Sequence, residues 1–189
     1  MFGFFSSKKR AVKDISNALN NVFSTCFFGT NYWNSNTFVA PYKFWEDEYI
    51  AGFIFSTSGV FLKYQFNGDK LSQAEKGEIT LKVMQEVCGS DAKSCFRIAL
   101  KNTQEPEGDA FKQGADDAFI LAAVALGATI KDNSENPKIL EAQDLARTMH
   151  ESNIENAELL GEKASSLSSF WAAYADLSVR EYVKNKYLS

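Results

Sequence analysis

The stretch YIAGFIFSTSGVFLKYQF, residues 49–66, decides the fold class of this chain. It is apolar on nearly every side of a helix, which predicts a helix that is buried on most of its faces. Pro41 suits the first helical turn, because it lacks the amide hydrogen that would go unpaired there. The Asn67-Gly68 pair that follows is a turn signal. We therefore predict a central helix over residues 41–66.

A second central helix is predicted over residues 110–130, where alanine becomes frequent. Gly52, Ser56 and Gly59 lie at helical spacing on the first central helix, so a neighbouring helix can approach its backbone closely. Neither apolar run reaches the roughly 20 residues that a membrane-spanning helix needs. The two helices are therefore expected to pack in the core of a soluble bundle.

The rest of the chain shows the three- and four-residue spacing of amphipathic helices, interrupted by short turns. Two capping boxes, Ser72 with Glu75 and Ser152 with Glu155, mark helix starts. Outside residues 37–40, the sequence lacks the alternating β-branched pattern that is typical of strands. The predicted fold class is therefore all-α, with about seven helices joined by short loops.

A length of 189 residues is enough for one domain with a sizeable core. We predict a single all-α domain over residues 1–189, in which residues 1–7 form a flexible N-terminal segment. Aromatic residues make up 14% of the chain, including 16 phenylalanines. So many rings indicate a phenylalanine-rich core, or else an apolar ligand cavity or an exposed patch.

Charge is uneven along the chain. The formal net charge of −4 argues against nucleic acid as a partner, because phosphate binding needs a basic face. A basic cluster, Lys8 to Arg10, follows Phe2, Phe4 and Phe5, whereas residues 132–162 are strongly acidic. Aromatic rings beside basic side chains are typical of weak anchors to anionic lipid. This segment therefore predicts a weak peripheral membrane contact.

The cysteine pattern indicates free thiols in a reducing compartment. Cys26, Cys88 and Cys95 are odd in number and contain no CxxC pair, so they predict neither a disulfide framework nor a zinc site. Cys88 and Cys95 flank a Gly-Ser turn and are expected to approach each other. The start of the chain also lacks the long apolar run of an export signal. We therefore expect a cytoplasmic protein.

The single histidine, His150, excludes most metal and nucleophile chemistry. Metalloproteases of the HExxH type and di-iron bundles each need two histidines, and no GxSxG nucleophile turn accompanies His150. Phosphate-binding glycine loops are also absent from the sequence. We predict no catalytic residues, no metal and no cofactor.

The leading functional hypothesis is a non-catalytic helical module that binds another protein or its own copy, as a homodimer. The aromatic excess supports it, as do the separate basic and acidic segments that could pair between chains. Trp171 and Tyr174 are the predicted partner-binding residues, because aromatic anchors dominate protein interfaces.

Two alternatives remain open from the sequence. The first is a bundle that holds an apolar or amphipathic small molecule in an aromatic-lined internal pocket, with Trp45, Tyr49, Ser56 and Asp117 as ligand-binding residues. The second is a carboxylate-based enzyme, in which acids of the two central helices, Asp117 among them, converge on one cavity and perturb each other's pKa.

Overall fold

The computed structural model describes residues 2–34, 37–66, 70–105, 108–128, 135–152 and 162–188. Within these ranges, residues 2–6, 34, 37, 150–152 and 162–165 are described by their backbone alone. The described chain is mostly helical, which confirms the predicted all-α class. Its longer helices are α1 (Phe2–Phe27), α2 (Glu48–Gln65), α3 (Gln73–Cys88), α4 (Ala92–Gln104), α5 (Asp109–Ala125), α6 (Pro137–Ser152) and α7 (Glu162–Ala175).

Shorter elements fill the connections. Two-residue strands, β1 (Trp33–Asn34) and β2 (Thr37–Phe38), pair antiparallel after α1. Short 3-10 helices lie on either side of the α2–α3 pair. They comprise Phe44–Glu46 and Gly89–Asp91. Beyond α7, the chain continues in π-helical turns, a three-residue helix and further π-helical turns: Asp176–Arg180, α8 (Glu181–Val183) and Lys184–Leu188.

The chain divides into two compact units, residues 1–119 and 120–189, and α5 crosses the division. The first is called the N-terminal unit below and the second the C-terminal unit. One domain over residues 1–189 stays a prediction. Residues 2–7, where we expected a flexible segment, belong to α1.

The first central helix begins later than predicted, at Glu48 rather than Pro41. Lys43 has a left-handed backbone (φ 61°, ψ 12°), which no α-helix can continue. Asp47 then caps α2, because its extended backbone lets Oδ1 accept a hydrogen bond from the Ile50 amide at 3.1 Å. A better N-cap therefore overrides the helix-start signal of the proline.

The second central helix ends at Ala125, earlier than the predicted residue 130. Gly127 has φ 86°, the left-handed conformation with which helices commonly end. The Gly127 amide donates to the Val124 carbonyl and the Ala128 amide to the Ala123 carbonyl, each at 2.9 Å. This pairing satisfies carbonyls that the end of the helix would otherwise leave without a donor.

The α2 and α5 helices cross within the N-terminal unit at two glycines. A Cβ added to Gly52 would lie 2.2 Å from the Phe111 carbonyl oxygen, and one added to Gly114 would lie 2.0 Å from that of Tyr49. Only glycine permits such an approach of two backbones. The predicted close packing on α2 is therefore present at Gly52, whereas Gly59 has no atom within 4 Å of an added Cβ.

A capping box and an ion pair tie α1 to α3. The Ser72 hydroxyl accepts from the Glu75 amide, and the Glu75 carboxylate accepts from the Ser72 amide, which confirms the predicted box. The same carboxylate pairs with Lys8 of α1 at 2.7 Å. Hydrogen bonds to this carboxylate from Lys8, from the Ser72 amide and from the Ser72 hydroxyl lower the pKa of Glu75 to about 2, the Lys8 bond most strongly. The second predicted box, at Ser152 and Glu155, lies partly outside the described residues.

In the C-terminal unit, α6 packs along α7 and its continuation. Pro137 is the first residue of α6, and the Asn136 carboxamide oxygen accepts from the Lys138 amide at 3.0 Å. Among the described residues of this unit, the buried apolar ones are Leu121, Ala122, Val124, Ile139, Ala142, Ala146, Phe170, Ala173, Tyr174, Ala175, Val179 and Val183.

Among the described residues, no helix combines the length and the apolar content that crossing a bilayer requires.

Candidate functional site

A surface groove of about 500 Å³ lies in the N-terminal unit, and we call it the large groove. It runs between the second half of α1, the chain after β1 and the end of α3. Buried Trp45 and exposed Glu86 both line it, so it extends from the aromatic core to the surface. Its described lining is Asn20, Ser24, Phe38, Ala40, Trp45, Glu86, Val87, Cys88 and Gly89.

Stacked rings hold the wall of the large groove in place. Phe38 stacks on Phe27 of α1, with ring centroids 5.3 Å apart and planes 11° apart. Trp45 packs edge-on against Phe23 at 5.5 Å and against Phe44 at 4.8 Å. Aromatic pairs of this kind contribute about 0.5–1.5 kcal/mol each beyond their buried area. The groove wall is therefore packed directly onto aromatic residues of the core.

A second groove, of about 230 Å³, shares Ala40 and Trp45 with the first, and we call it the small groove. Its remaining lining is Pro41, Tyr42, Lys43, Glu46 and Asp91. The side chain of Tyr42 is 88% exposed, so a large aromatic ring stands in solvent at this groove. Its ring is therefore accessible to any molecule that enters this groove.

The left-handed backbone of Lys43 shapes the small groove. Among the described residues, Lys43 is the only non-glycine residue with a positive φ. Such strain costs about 1–3 kcal/mol and is typical of ligand clamps and functional loops. It reverses the chain between exposed Tyr42 and buried Phe44, so one ring faces solvent while the other joins the core.

Three acids line the two grooves: Glu86 in the large one, and Glu46 and Asp91 in the small one. All three are exposed. Within the described part of the chain, none of them makes an ion pair or a side-chain hydrogen bond. Lys43 is the one basic residue of the described lining, and its ammonium lies 5.5 Å from the centre of the Tyr42 ring. The grooves therefore carry an excess of negative charge.

Cys88 and Cys95 meet, as the turn between them predicted. A hydrogen bond between the two thiols raises the pKa of Cys88, and burial and the nearby Asp91 carboxylate raise it further. Cys88 is therefore a neutral thiol and a poor nucleophile. The thiol at the floor of the large groove does not support covalent catalysis.

The predicted ligand-binding residues separate in the structure. Trp45 lines both grooves, whereas Tyr49, Ser56 and Asp117 line neither. The Tyr49 hydroxyl donates to Asp117 Oδ2 at 2.9 Å, and both side chains are buried at the α2–α5 crossing. Further along α2, the hydroxyl of Ser58 donates to the Ile54 carbonyl of the same helix. The Tyr49–Asp117 bond therefore satisfies the buried polar groups of the crossing, while Ser58 is satisfied within α2.

The acids of the central helices take different roles. Asp47 caps α2, Glu46 lines the small groove, and Asp116 is exposed on α5 next to buried Asp117. No group of three or more histidine, cysteine or acidic side chains that could hold a metal occurs in the described part of the chain.

The predicted partner-binding residues lie in the C-terminal unit. Tyr174 is only 1% exposed: its ring stacks on Phe170 at 5.8 Å and faces the Lys138 ammonium at 5.9 Å. Trp171 is half-buried. Tyr174 is therefore a core residue of its unit, whereas part of the Trp171 side chain is accessible to solvent.

The basic cluster at the N-terminus is partly engaged within the N-terminal unit. Lys8 pairs with Glu75, and Arg10 lies 3.6 Å from Asp14. Lys9 is exposed. The side chains of Phe2, Phe4 and Phe5 lie outside the described residues, so weak membrane contact by this segment stays a prediction.

Sequence reasoning missed most residues of the two grooves. Tyr42, Glu86 and Asp91 were not singled out, because they lie far apart in sequence and carry no motif. One signal was present: Tyr42 and Lys43 follow Pro41, and a residue pair after proline that breaks the helical pattern favours a turn.

No protein-family model, curated protein or solved structure matches this chain.

Proposed function

We propose that this chain is a non-catalytic helical module that binds another protein through the two grooves of its N-terminal unit. The observation that carries the proposal is Tyr42, which is 88% exposed and lines the small groove together with Trp45. Aromatic side chains at the centre of an interface commonly supply most of the binding energy. The location differs from the predicted anchors Trp171 and Tyr174, because Tyr174 is buried.

The proposal places the chain in a reducing compartment such as the cytoplasm, because its three described cysteines are buried thiols outside any disulfide. A second copy of the chain is one form that the partner could take. Native mass spectrometry of the purified protein measures this directly, since a homodimer would appear at twice the chain mass.

The test is quantitative affinity capture with a matched pair of variants. Tyr42→Ala removes a ring at the small groove, and Tyr64→Ala removes an exposed ring of α2 that lines neither groove. We expect a specific partner to be retained by the wild type and by Tyr64→Ala but lost from Tyr42→Ala. Equal retention by the two variants would contradict binding at the grooves.

A small-molecule site in the large groove is the second candidate. Its volume of about 500 Å³ lies within the roughly 300–1,000 Å³ of ligand pockets. Native mass spectrometry also tests this candidate. Extra mass that disappears on denaturation would indicate a retained ligand, and a bare chain mass would favour the protein-binding role.

A further inference from the structure

We infer that the two grooves bind a lysine- or arginine-containing segment of a partner protein, whose cationic side chain is held between aromatic rings and carboxylates. This inference rests on the proposed function and deepens it by naming the chemistry of the partner. A cationic segment is expected because the described lining of the grooves combines three exposed acids with one lysine.

Aromatic rings and acids lie together in the lining of each groove, with Phe38, Trp45 and Glu86 in the large one. Trp45 and Tyr42 line the small groove together with Glu46 and Asp91. Ring faces attract cations through their quadrupole, and a carboxylate beside the ring adds a direct charge contact. The aromatic rings and the carboxylates of the lining therefore both favour a cationic ligand.

The protein already places a cation beside one ring of the small groove. The Lys43 ammonium lies 5.5 Å from the Tyr42 ring centre. A guanidinium from a partner would offer a planar group that can stack on the ring and donate to a carboxylate at once. An incoming arginine therefore competes well with this flexible surface lysine.

The three groove acids are exposed and accessible to an incoming cation. Glu46, Glu86 and Asp91 make no ion pair within the described part of the chain. The negative charge of Asp91 also reaches the floor of the large groove, where it contributes to the raised pKa of Cys88. A cation would neutralise this charge, whereas a phosphate group or an anionic lipid surface would be repelled.

The probe for the test is a fluorescein-labelled peptide of alternating glycine and arginine, titrated with the full chain at low ionic strength and followed by fluorescence anisotropy. The matched control peptide carries citrulline, which keeps the shape of arginine without its charge. We expect the citrulline peptide to bind roughly tenfold more weakly. Equal binding of the two peptides, or no binding of the arginine peptide, would overturn the inference.

Variants assign the binding to the grooves. Glu46→Gln and Asp91→Asn should each weaken binding about two- to fivefold, as expected for exposed charge pairs. Glu105→Gln is the control, because Glu105 is an exposed acid just beyond the opposite end of α4 from Asp91. Circular dichroism checks that the variants keep their fold. A loss of the same size in Glu105→Gln would overturn the inference by showing diffuse attraction.

The Lys43→Asn variant tests the effect of the Lys43 charge without changing the backbone conformation at this position. Asparagine tolerates the left-handed conformation of this position, so the loop is kept while the charge is removed. We expect the arginine peptide to bind about two- to fivefold more tightly, since one repulsive contact is lost. Weaker binding by this variant would overturn the inference.

Two results separate this inference from the proposed function. Capture of a partner that is lost in Tyr42→Ala and yet unchanged in the double variant Glu46→Gln/Asp91→Asn is the first. The grooves would then bind a partner that supplies no cationic side chain, and only the inference fails. If capture does not depend on Tyr42, the proposed function fails. The inference concerns a separate partner protein. A homodimer that is lost both in Glu46→Gln/Asp91→Asn and in Lys9→Gln would therefore overturn it, because a second copy of the chain would then occupy the grooves.

Discussion

The α2–α5 crossing and the two grooves use the same kinds of side chain in opposite ways. At the crossing, the hydroxyl of Tyr49 donates to the Asp117 carboxylate and both groups are buried. At the small groove, Tyr42 is exposed, and the nearby acid Asp91 makes no ion pair within the described residues. An aromatic ring beside an acid therefore stabilises the fold in one place and offers contacts in the other.

This difference follows from the cost of burial. A buried carboxylate needs hydrogen-bond donors, because leaving it unsatisfied costs several kcal/mol, whereas water satisfies an exposed one. The crossing must therefore be complete in the folded chain. The grooves keep their charges available without destabilising the fold.

The largest loss of stability is expected from a substitution that forces the α2 and α5 backbones apart at their crossing. Gly114→Ala would place a Cβ 2.0 Å from the Tyr49 carbonyl oxygen, so the backbones must separate. We expect the free energy of unfolding to fall by about 3 kcal/mol, the upper part of the range for overpacking. Chemical denaturation followed by circular dichroism measures it.

The matched control for this change is Gly59→Ala on exposed α2 surface, where an added Cβ meets no atom within 4 Å. Alanine is the better helix former, so this variant should be more stable by up to about 1 kcal/mol. Equal destabilisation by both variants would contradict close packing at the crossing.

A smaller effect comes from one chemical change made in both regions. Tyr49→Phe removes the hydroxyl that donates to buried Asp117 and should lower the free energy of unfolding by about 1–3 kcal/mol. Tyr42→Phe removes an exposed hydroxyl and should change it by less than about 0.5 kcal/mol. Thermal and chemical denaturation compare the pair. An unchanged stability of Tyr49→Phe would show that this bond does not hold the crossing.

The smallest effect concerns an acid that, unlike those of the grooves, has a cationic partner. Hydrogen bonds from Lys8 and Ser72 lower the pKa of Glu75 from 4.5 to about 2. Folding thus favours the charged form of Glu75, and the charged carboxylate stabilises the folded state. This contribution is complete above about pH 4.5 and is lost as the pH falls towards about 2. Glu75→Gln should therefore be less stable than wild type near neutral pH, with the difference disappearing in acid.

A series of thermal denaturations across this pH range measures the effect on Glu75. Lys8→Gln should remove only the part due to the ammonium, because the Ser72 bonds to Glu75 remain. A stability difference that does not change between neutral and acid pH would contradict the lowered pKa of Glu75.

Much of the fold could be predicted from local patterns. The apolar run of α2, the Ser72–Glu75 capping box and the start of α6 at Pro137 depend on residues close together in sequence. The start of α2 was missed because two helix-start signals competed, and the Asp47 cap prevailed over Pro41. Helix ends depend on such small differences, so they are less predictable than helix existence.

The candidate site could be predicted only at Trp45. That residue was expected beside Tyr49 and Asp117, which the fold instead buries at the crossing. Their positions along α2 and α5 are apparent from periodicity. Which faces of the two helices meet depends on Gly52 and Gly114, whose contacts join residues far apart in the chain.

The sequence by itself determined the helical class, the buried character of α2 and the presence of thiols outside a disulfide framework, because composition and short-range periodicity decide these properties. Only the tertiary structure decided which aromatic residues are core and which are exposed. Tyr174 and Tyr49 are buried while Tyr42 projects into solvent, although all three are tyrosines in aromatic-rich segments. The physical reason is that burial depends on the neighbours a fold supplies, and those neighbours come from distant parts of the chain.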